Sequence, residues 1–105
     1  TQAEEFLREV PGMVAQMGDC DVILYQAGAD PHIHDPLGGF LTTEQLATRD
    51  HLVFQKALQR GIPIAWNLAG GYQRSQDNSI RPVLDIHDNT LRECANVYLR
   101  QSPGS

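Results

Sequence analysis

The sequence predicts an α/β fold, a partial three-layer parallel sheet in which this chain supplies one strand–helix–strand unit plus flanking helices. Two short apolar runs, DVILYQA at 21–27 and IPIAWNL at 62–68, have the length and β-branched content of strands. Between them, apolar residues recur at helical spacing after Thr42. A helix that links two such strands makes them parallel, through a right-handed crossover.

The amino-terminal element is predicted to be a helix over residues 2–17, because five apolar residues recur at helical spacing: Phe6, Leu7, Val10, Val14 and Met17. Pro11 interrupts this run, so either the helix kinks there or a second helical segment starts with proline at its first position. Gly18 and Asp19 then close the segment.

The next elements are predicted from turn and capping residues. We expect 21–27 to be a strand buried on both faces. Thr42 and Gln45 form a capping box that starts the central helix, and Gly61 ends it. The second strand covers 62–68.

The carboxyl-terminal part is predicted from weaker signals. A tight glycine turn follows the second strand, and residues 73–84 are expected to be irregular. Asp88 is the predicted cap of the last helix. We expect one module over residues 1–101, followed by a disordered tail at 102–105.

The amino-acid composition and net charge argue against some classes of binding partner. The chain has 105 residues, 41% of them hydrophobic and 20% charged, with a net charge of −5. Nucleic-acid binders concentrate Lys and Arg, so we expect no nucleic-acid partner. No apolar run is long enough for a bilayer, so we expect a cytoplasmic protein without a membrane partner. Cys20 and Cys94 are expected to be buried thiols.

The topology predicts where a functional site lies. Ligands of parallel sheets bind outside the carboxyl ends of the strands. The loops 28–39 and 69–72 both leave that edge, so Asp30 and Tyr72 should lie near each other. Two strands alone do not make a stable parallel sheet. We therefore expect a homo-oligomer, formed through the exposed sheet edge.

The loop GADPHIHDPLGG at 28–39 allows two interpretations. Asp30, His32, His34 and Asp35 could bind one metal ion together, although neighbouring prolines stiffen the loop and hinder this. Alternatively only Asp30 matters, the two histidines face solvent, and Asp35 forms a turn by accepting backbone N–H groups.

Several motifs, taken in their order along the chain, help to decide between these two interpretations of the loop. They are YQAGAD at 25–30, DPLGG at 35–39, TT at 42–43, RDHLVF at 49–54 and GGYQ at 70–73. Together they resemble the carboxyl-terminal part of the histone deacetylase superfamily, which includes acetoin-utilisation proteins and acetylpolyamine amidohydrolases. GGYQ and the 49–54 segment are most similar to the class IV branch.

The resemblance implies an arginase/deacetylase-like fold, zinc as cofactor and an acetylated lysine or polyamine as substrate. It implies that Asp30 is a zinc ligand and that Tyr72 is catalytic, donating its hydroxyl hydrogen to the developing oxyanion. It also implies that Leu37 lines the acyl-lysine tunnel and that Gly70 and Gly71 lie beside it.

The sequence departs from the family pattern before the first strand. The family also needs an Asp-x-His pair and a tandem His-His base upstream of the matching aspartate, and residues 1–20 contain no histidine. The chain therefore resembles a fragment or remnant that is inactive on its own. The alternative is a non-catalytic, self-associating α/β binding module.

Overall fold

The computed structural model describes residues 1–99, so the predicted boundary at 101 and the tail at 102–105 lie outside the described residues. In chain order the elements are helix α1 (Gln2–Ala15), strand β1 (Ile23–Gly28), helix α2 (Thr43–Arg60), strand β2 (Ile64–Ala69) and helix α3 (Arg81–Leu99). The predicted α/β class with a strand–helix–strand unit and flanking helices is confirmed.

β1 and β2 are parallel and pair in register from Ile23 opposite Ile64 to Gly28 opposite Ala69. The crossover between them contains α2, as the sequence predicts. Both strands therefore end at the same edge of the sheet, where the loops that follow them begin.

The helix boundaries of α1 and α2 follow local capping chemistry. Thr1 caps α1 in a capping box with Glu4. Thr42 does the same for α2 with Gln45, and Gly61 ends α2 in the left-handed conformation with φ 68°. Pro11 lies inside α1, which continues through it to Ala15.

The core lies between the helices and one face of the sheet. Ile23 of β1 packs with Val10 and Val14 of α1 and with Val53 and Ala57 of α2. A second cluster joins α1, the loop after β1, α2 and α3; its buried members are Ala3, Ala29, Leu41, Leu46, Val83 and Ile86.

The prediction that β1 is buried on both faces is wrong for the single chain. Its side chains alternate, with Ile23 and Ala27 buried against the helices and Leu24 79% exposed on the other face. The physical reason is that the packed helices cover the Ile23 face, so the apolar run 21–27 has one face that the described residues leave open.

Two other predictions are also corrected. The last helix begins at Arg81, not after Asp88, because Val83 and Leu84 donate backbone hydrogen bonds to the Ile80 carbonyl and start the first turn there. Cys20 is exposed, since it lies in the polar turn between α1 and β1.

Residues 81–84, which we expected to be irregular, thus belong to α3. Cys94 is partly buried. Within residues 1–99, the helices are too short or too polar to cross a membrane.

Candidate functional site

The two loops that follow the strands meet at the shared edge. Asp30, from the loop after β1, and Tyr72, from the loop after β2, line the same cavity of about 390 Å³. The Ala29 N–H donates to the Ala69 carbonyl at 3.1 Å, which holds the two strand ends together. The expectation that Asp30 and Tyr72 lie close together is confirmed.

Glycines leave room around the Asp30 carboxylate. A Cβ atom at Gly28 would lie 3.0 Å from Asp30 Oδ1, and one at Gly70 would lie 3.0 Å from Asp30 Oδ2. Such contacts are tighter than nine in ten real Cβ contacts, so a larger residue at either position would push the carboxylate away by a few tenths of an ångström. The two glycines therefore shape a cradle for Asp30.

Gly71 brings the second loop against the first. It has φ 102°, and a Cβ atom there would lie 2.9 Å from both Ala29 Cβ and Val83 Cγ1. Only glycine adopts this conformation without strain, and only glycine fits the space. Tyr72 follows directly and is 54% exposed, so its phenol is accessible from solvent.

Asp35 connects the two loops through its carboxylate. It is buried, and its Oδ1 accepts the Leu37 N–H at 3.0 Å, as expected for a turn former. Its Oδ2 accepts the Tyr72 N–H at 2.8 Å, across 37 residues of sequence. This second bond was not predicted, because no local pattern indicates a contact at such separation.

The prediction that both loop histidines face solvent is wrong for His32, which is 5% exposed. His34 is exposed, as predicted. His32 Nδ1 accepts the His34 N–H at 3.0 Å, and Nε2 lies 2.9 Å from Thr43 Oγ1. Because Nδ1 accepts, Nε2 carries the proton and donates to the hydroxyl. Burial, with the nearby His34 as a second cause, lowers the pKa of His32 and keeps the ring neutral.

Arg49, which helps to line the cavity, forms a buried ion pair with Asp50, and the sequence predicted no role for this pair. Asp50 Oδ1 accepts from Arg49 Nε at 3.1 Å and Nη2 at 2.9 Å, and the Tyr25 hydroxyl also donates to it. Asp50 Oδ2 accepts from the Thr90 hydroxyl. The helical spacing could have predicted that this pair is buried, because it occupies the same helix face as the buried Leu46 and Val53.

Arg49 also fixes the end of β1. Its Nη1 donates to the Gly28 carbonyl at 2.8 Å. The N–H and C=O of a trans peptide point in opposite directions, so the Gly28 carbonyl points away from β2 while the Ala29 N–H points towards it. The peptide between Gly28 and Ala29 is thus held on both sides, one residue before Asp30.

Comparison with known proteins identifies the family. The model of the histone deacetylase domain matches residues 2–84. The chain belongs to the histone deacetylase family.

Two relatives agree with this assignment. A cyanobacterial protein of Picosynechococcus, whose function is uncharacterized, is 38% identical over 79 residues, which are 74% of this chain and 25% of that protein. Histone deacetylase 2 of Arabidopsis thaliana is 30% identical over 97 residues, 89% of this chain and 24% of that enzyme. The chain spans about a quarter of the length of these relatives.

Histone deacetylases are generally zinc-dependent, which makes the donor set of this chain relevant. Asp30 places a carboxylate, a donor type that suits zinc, between Gly28 and Gly70. Among residues 1–99, however, no three His, Cys, Asp or Glu side chains converge as metal ligands would. The described residues therefore do not complete a catalytic zinc site, which needs about three ligands from protein.

The other predicted residues of the deacetylase site take different positions. Gly70 lines the cavity beside Asp30, and Gly71 packs against Ala29. Leu37 is 67% exposed and lies outside the cavity lining. The structure thus brings Asp30, Gly70 and Tyr72 together, and the Asp35 carboxylate links Leu37 to Tyr72.

Proposed function

We propose that this chain carries one half of a zinc-dependent deacetylase site, with Asp30 as a metal ligand and Tyr72 as the oxyanion donor. The observation that supports this best is that both residues line one cavity although they come from separate loops. The proposed reaction is hydrolysis of an acetyl amide, on an acetylated lysine or polyamine.

Each residue has a distinct chemical task in this proposal. Bound zinc would polarise the amide carbonyl and its attacking water. Tyr72 would donate a hydrogen bond to the carbonyl oxygen as it becomes an oxyanion. Gly70 and Gly71 let a substrate approach the backbone closely, and Leu37 would contact the acyl-lysine chain.

We further propose that this chain alone does not hydrolyse acetyl amides. General-base catalysis needs a group that accepts a proton from the attacking water. In the family that role falls to a tandem His-His motif, and no two histidines are adjacent in this sequence. The remaining ligands and the base would come from another polypeptide or another part of a longer one.

Metal binding to the dialysed chain tests the role of Asp30. We expect weak binding of Zn²⁺ or Co²⁺ that Asp30→Asn abolishes and His34→Ala leaves unchanged. The opposite pattern, loss in His34→Ala alone, would favour a metal site built from the loop histidines. No metal binding in any form would refute the role of Asp30 in this chain.

A chimera tests the role of Tyr72. This chain would replace the matching quarter of Arabidopsis histone deacetylase 2, and an acetyl-lysine peptide would be the substrate. We expect Tyr72→Phe to keep zinc but to lower kcat by about 10²–10³-fold, as for the loss of an oxyanion donor. A chimera that binds zinc and is equally active with Tyr72→Phe would contradict the proposal.

The open sheet face favours a second candidate function, a self-associating binding module without catalysis. Leu24 is 79% exposed and Val22 is 47% exposed, on a sheet of only two strands. A second copy could cover these residues and extend the sheet at the free edge of β1. Mass in solution, read by light scattering over a range of concentrations, distinguishes a dimer from a monomer.

A further inference from the structure

The Asp35 carboxylate is the side chain that forms a hydrogen-bonded link between the turn at 35–38 and the loop after β2. It is 4% exposed, and each of its oxygens accepts one backbone N–H, from Leu37 on Oδ1 and from Tyr72 on Oδ2. Hydrogen bonds to a buried carboxylate are stronger than those between neutral groups. Asp35 thus binds one residue on each of the two loops.

The hydrogen bond from the Tyr72 N–H to Asp35 comes directly after two glycines, which have the greatest backbone freedom in this loop. Gly70 and Gly71 both have positive φ, at 60° and 102°, and glycine loses more conformational freedom on folding than any other residue. The Tyr72 N–H is the next backbone group, and Asp35 holds it at 2.8 Å. Without that bond, the direction in which the chain leaves the glycines would be less restricted.

The turn at Asp35 does not require this bond. The Gly38 N–H donates to the Asp35 carbonyl at 2.8 Å, and the Asp35 N–H donates to the His32 carbonyl at 3.0 Å. Together with the contact from Leu37, these bonds define the turn locally. The bond to Tyr72 is additional, and it connects this turn to the second loop.

We propose that Asp35 is a positioning residue, which sets the backbone of Tyr72 relative to the loop that carries Asp30. The catalytic meaning of this position rests on the proposed function, whereas the link itself does not. Asp35 would act through Tyr72 and would contact neither metal nor substrate.

Asp35→Asn is the most direct test, because asparagine has the same shape but only one accepting oxygen. In either orientation of the amide, one of the two N–H groups faces an NH₂ group and loses its acceptor. We expect the amide hydrogen of Tyr72 or Leu37 to exchange at least about tenfold faster, relative to the buried amides of α2.

Asp77→Asn is the matched control. Asp77 accepts the Ser79 N–H at 3.1 Å in the exposed turn that follows Tyr72. This variant removes a comparable capping carboxylate from the same connection, so we expect no change at Tyr72. A merely structural role of Asp35 would instead accelerate all amides in proportion, and that result would overturn the proposal.

A measurement on the unmodified chain keeps the proposal testable if Asp35→Asn does not fold. A scalar coupling across the hydrogen bond, between the Tyr72 amide nitrogen and the Asp35 side-chain carboxyl carbon, is expected in the NMR spectrum. Absence of this coupling, with a rapidly exchanging Tyr72 amide, would refute the link.

These outcomes separate the inference from the proposed function. If the coupling and the exchange result hold while no metal binds, Asp35 orders the loop but Asp30 is no zinc ligand in this chain. If metal binding depends on Asp30 while Asp35→Asn leaves the amides of both Tyr72 and Leu37 unchanged, the half-site stands and the positioning role of Asp35 is wrong.

Discussion

Replacing Asp50 with alanine is expected to destabilise the fold strongly. Asp50 is 0% exposed and accepts hydrogen bonds from Tyr25, Thr90 and two nitrogens of Arg49. Asp50→Ala would leave Arg49, a residue that is 6% exposed, without a counter-charge and with the Gly28 carbonyl as its remaining hydrogen-bond acceptor among the described residues. Breaking a buried pair in this way costs about 3–5 kcal/mol. A domain of this size is stable by only about 5–15 kcal/mol.

Urea unfolding, followed by far-UV circular dichroism and by Trp66 fluorescence, measures this loss. The control removes both charges at once, with Arg49→Met and Asp50→Asn in one chain. This double variant leaves no unpaired charge, so we expect it to cost about 1–2 kcal/mol and to be more stable than Asp50→Ala. A loss below about 1 kcal/mol for Asp50→Ala, or an equal loss in both variants, would refute the reasoning.

Three further predictions concern the loops and the open face. Gly71→Ala should lower the free energy of unfolding by about 2–5 kcal/mol, because of backbone strain and overpacking. Gly12→Ala, in open space on α1, should instead raise it by about 0.5–1 kcal/mol. Thermal unfolding compares the two variants. His32 binds its proton less tightly when folded, so stability should fall as pH drops below about 6.5, and His32→Gln should weaken that dependence in urea titrations at pH 5 and pH 8. Leu24→Lys should shift sedimentation towards monomer if copies associate through the open face, and an unchanged mass would exclude that face.

Local sequence patterns predicted those element boundaries that depend on residues close together in the chain. Thr42 and Gln45 predicted the start of α2, and Gly61 its end, because capping is decided by residues within one turn. The start of α3 was not predicted, because its first turn carries no such clear local signal. Arg81 and Asp85 make the first turn look polar, while Val83 and Ile86, which are buried, carry the helical face.

Topology predicted the meeting of Asp30 and Tyr72, since parallel strands end at one edge. It could not predict which groups hold them there. The bond from Tyr72 to Asp35 and the bond from Arg49 to Gly28 join residues that are 37 and 21 positions apart. Neither follows from periodicity, because each depends on how two loops pack after the sheet has formed.

Both unpredicted groups act on the backbone rather than on the proposed catalytic atoms. Arg49 and the Ala69 carbonyl fix the peptide between Gly28 and Ala29, and Asp35 fixes the amide of Tyr72. A catalytic group must be held to within a fraction of an ångström, which requires its support to be rigid. Buried charged side chains therefore support the geometry of the proposed half-site, whereas tight zinc binding would depend on ligands beyond Asp30. Metal affinity and loop order can consequently be measured as separate properties of the same molecule.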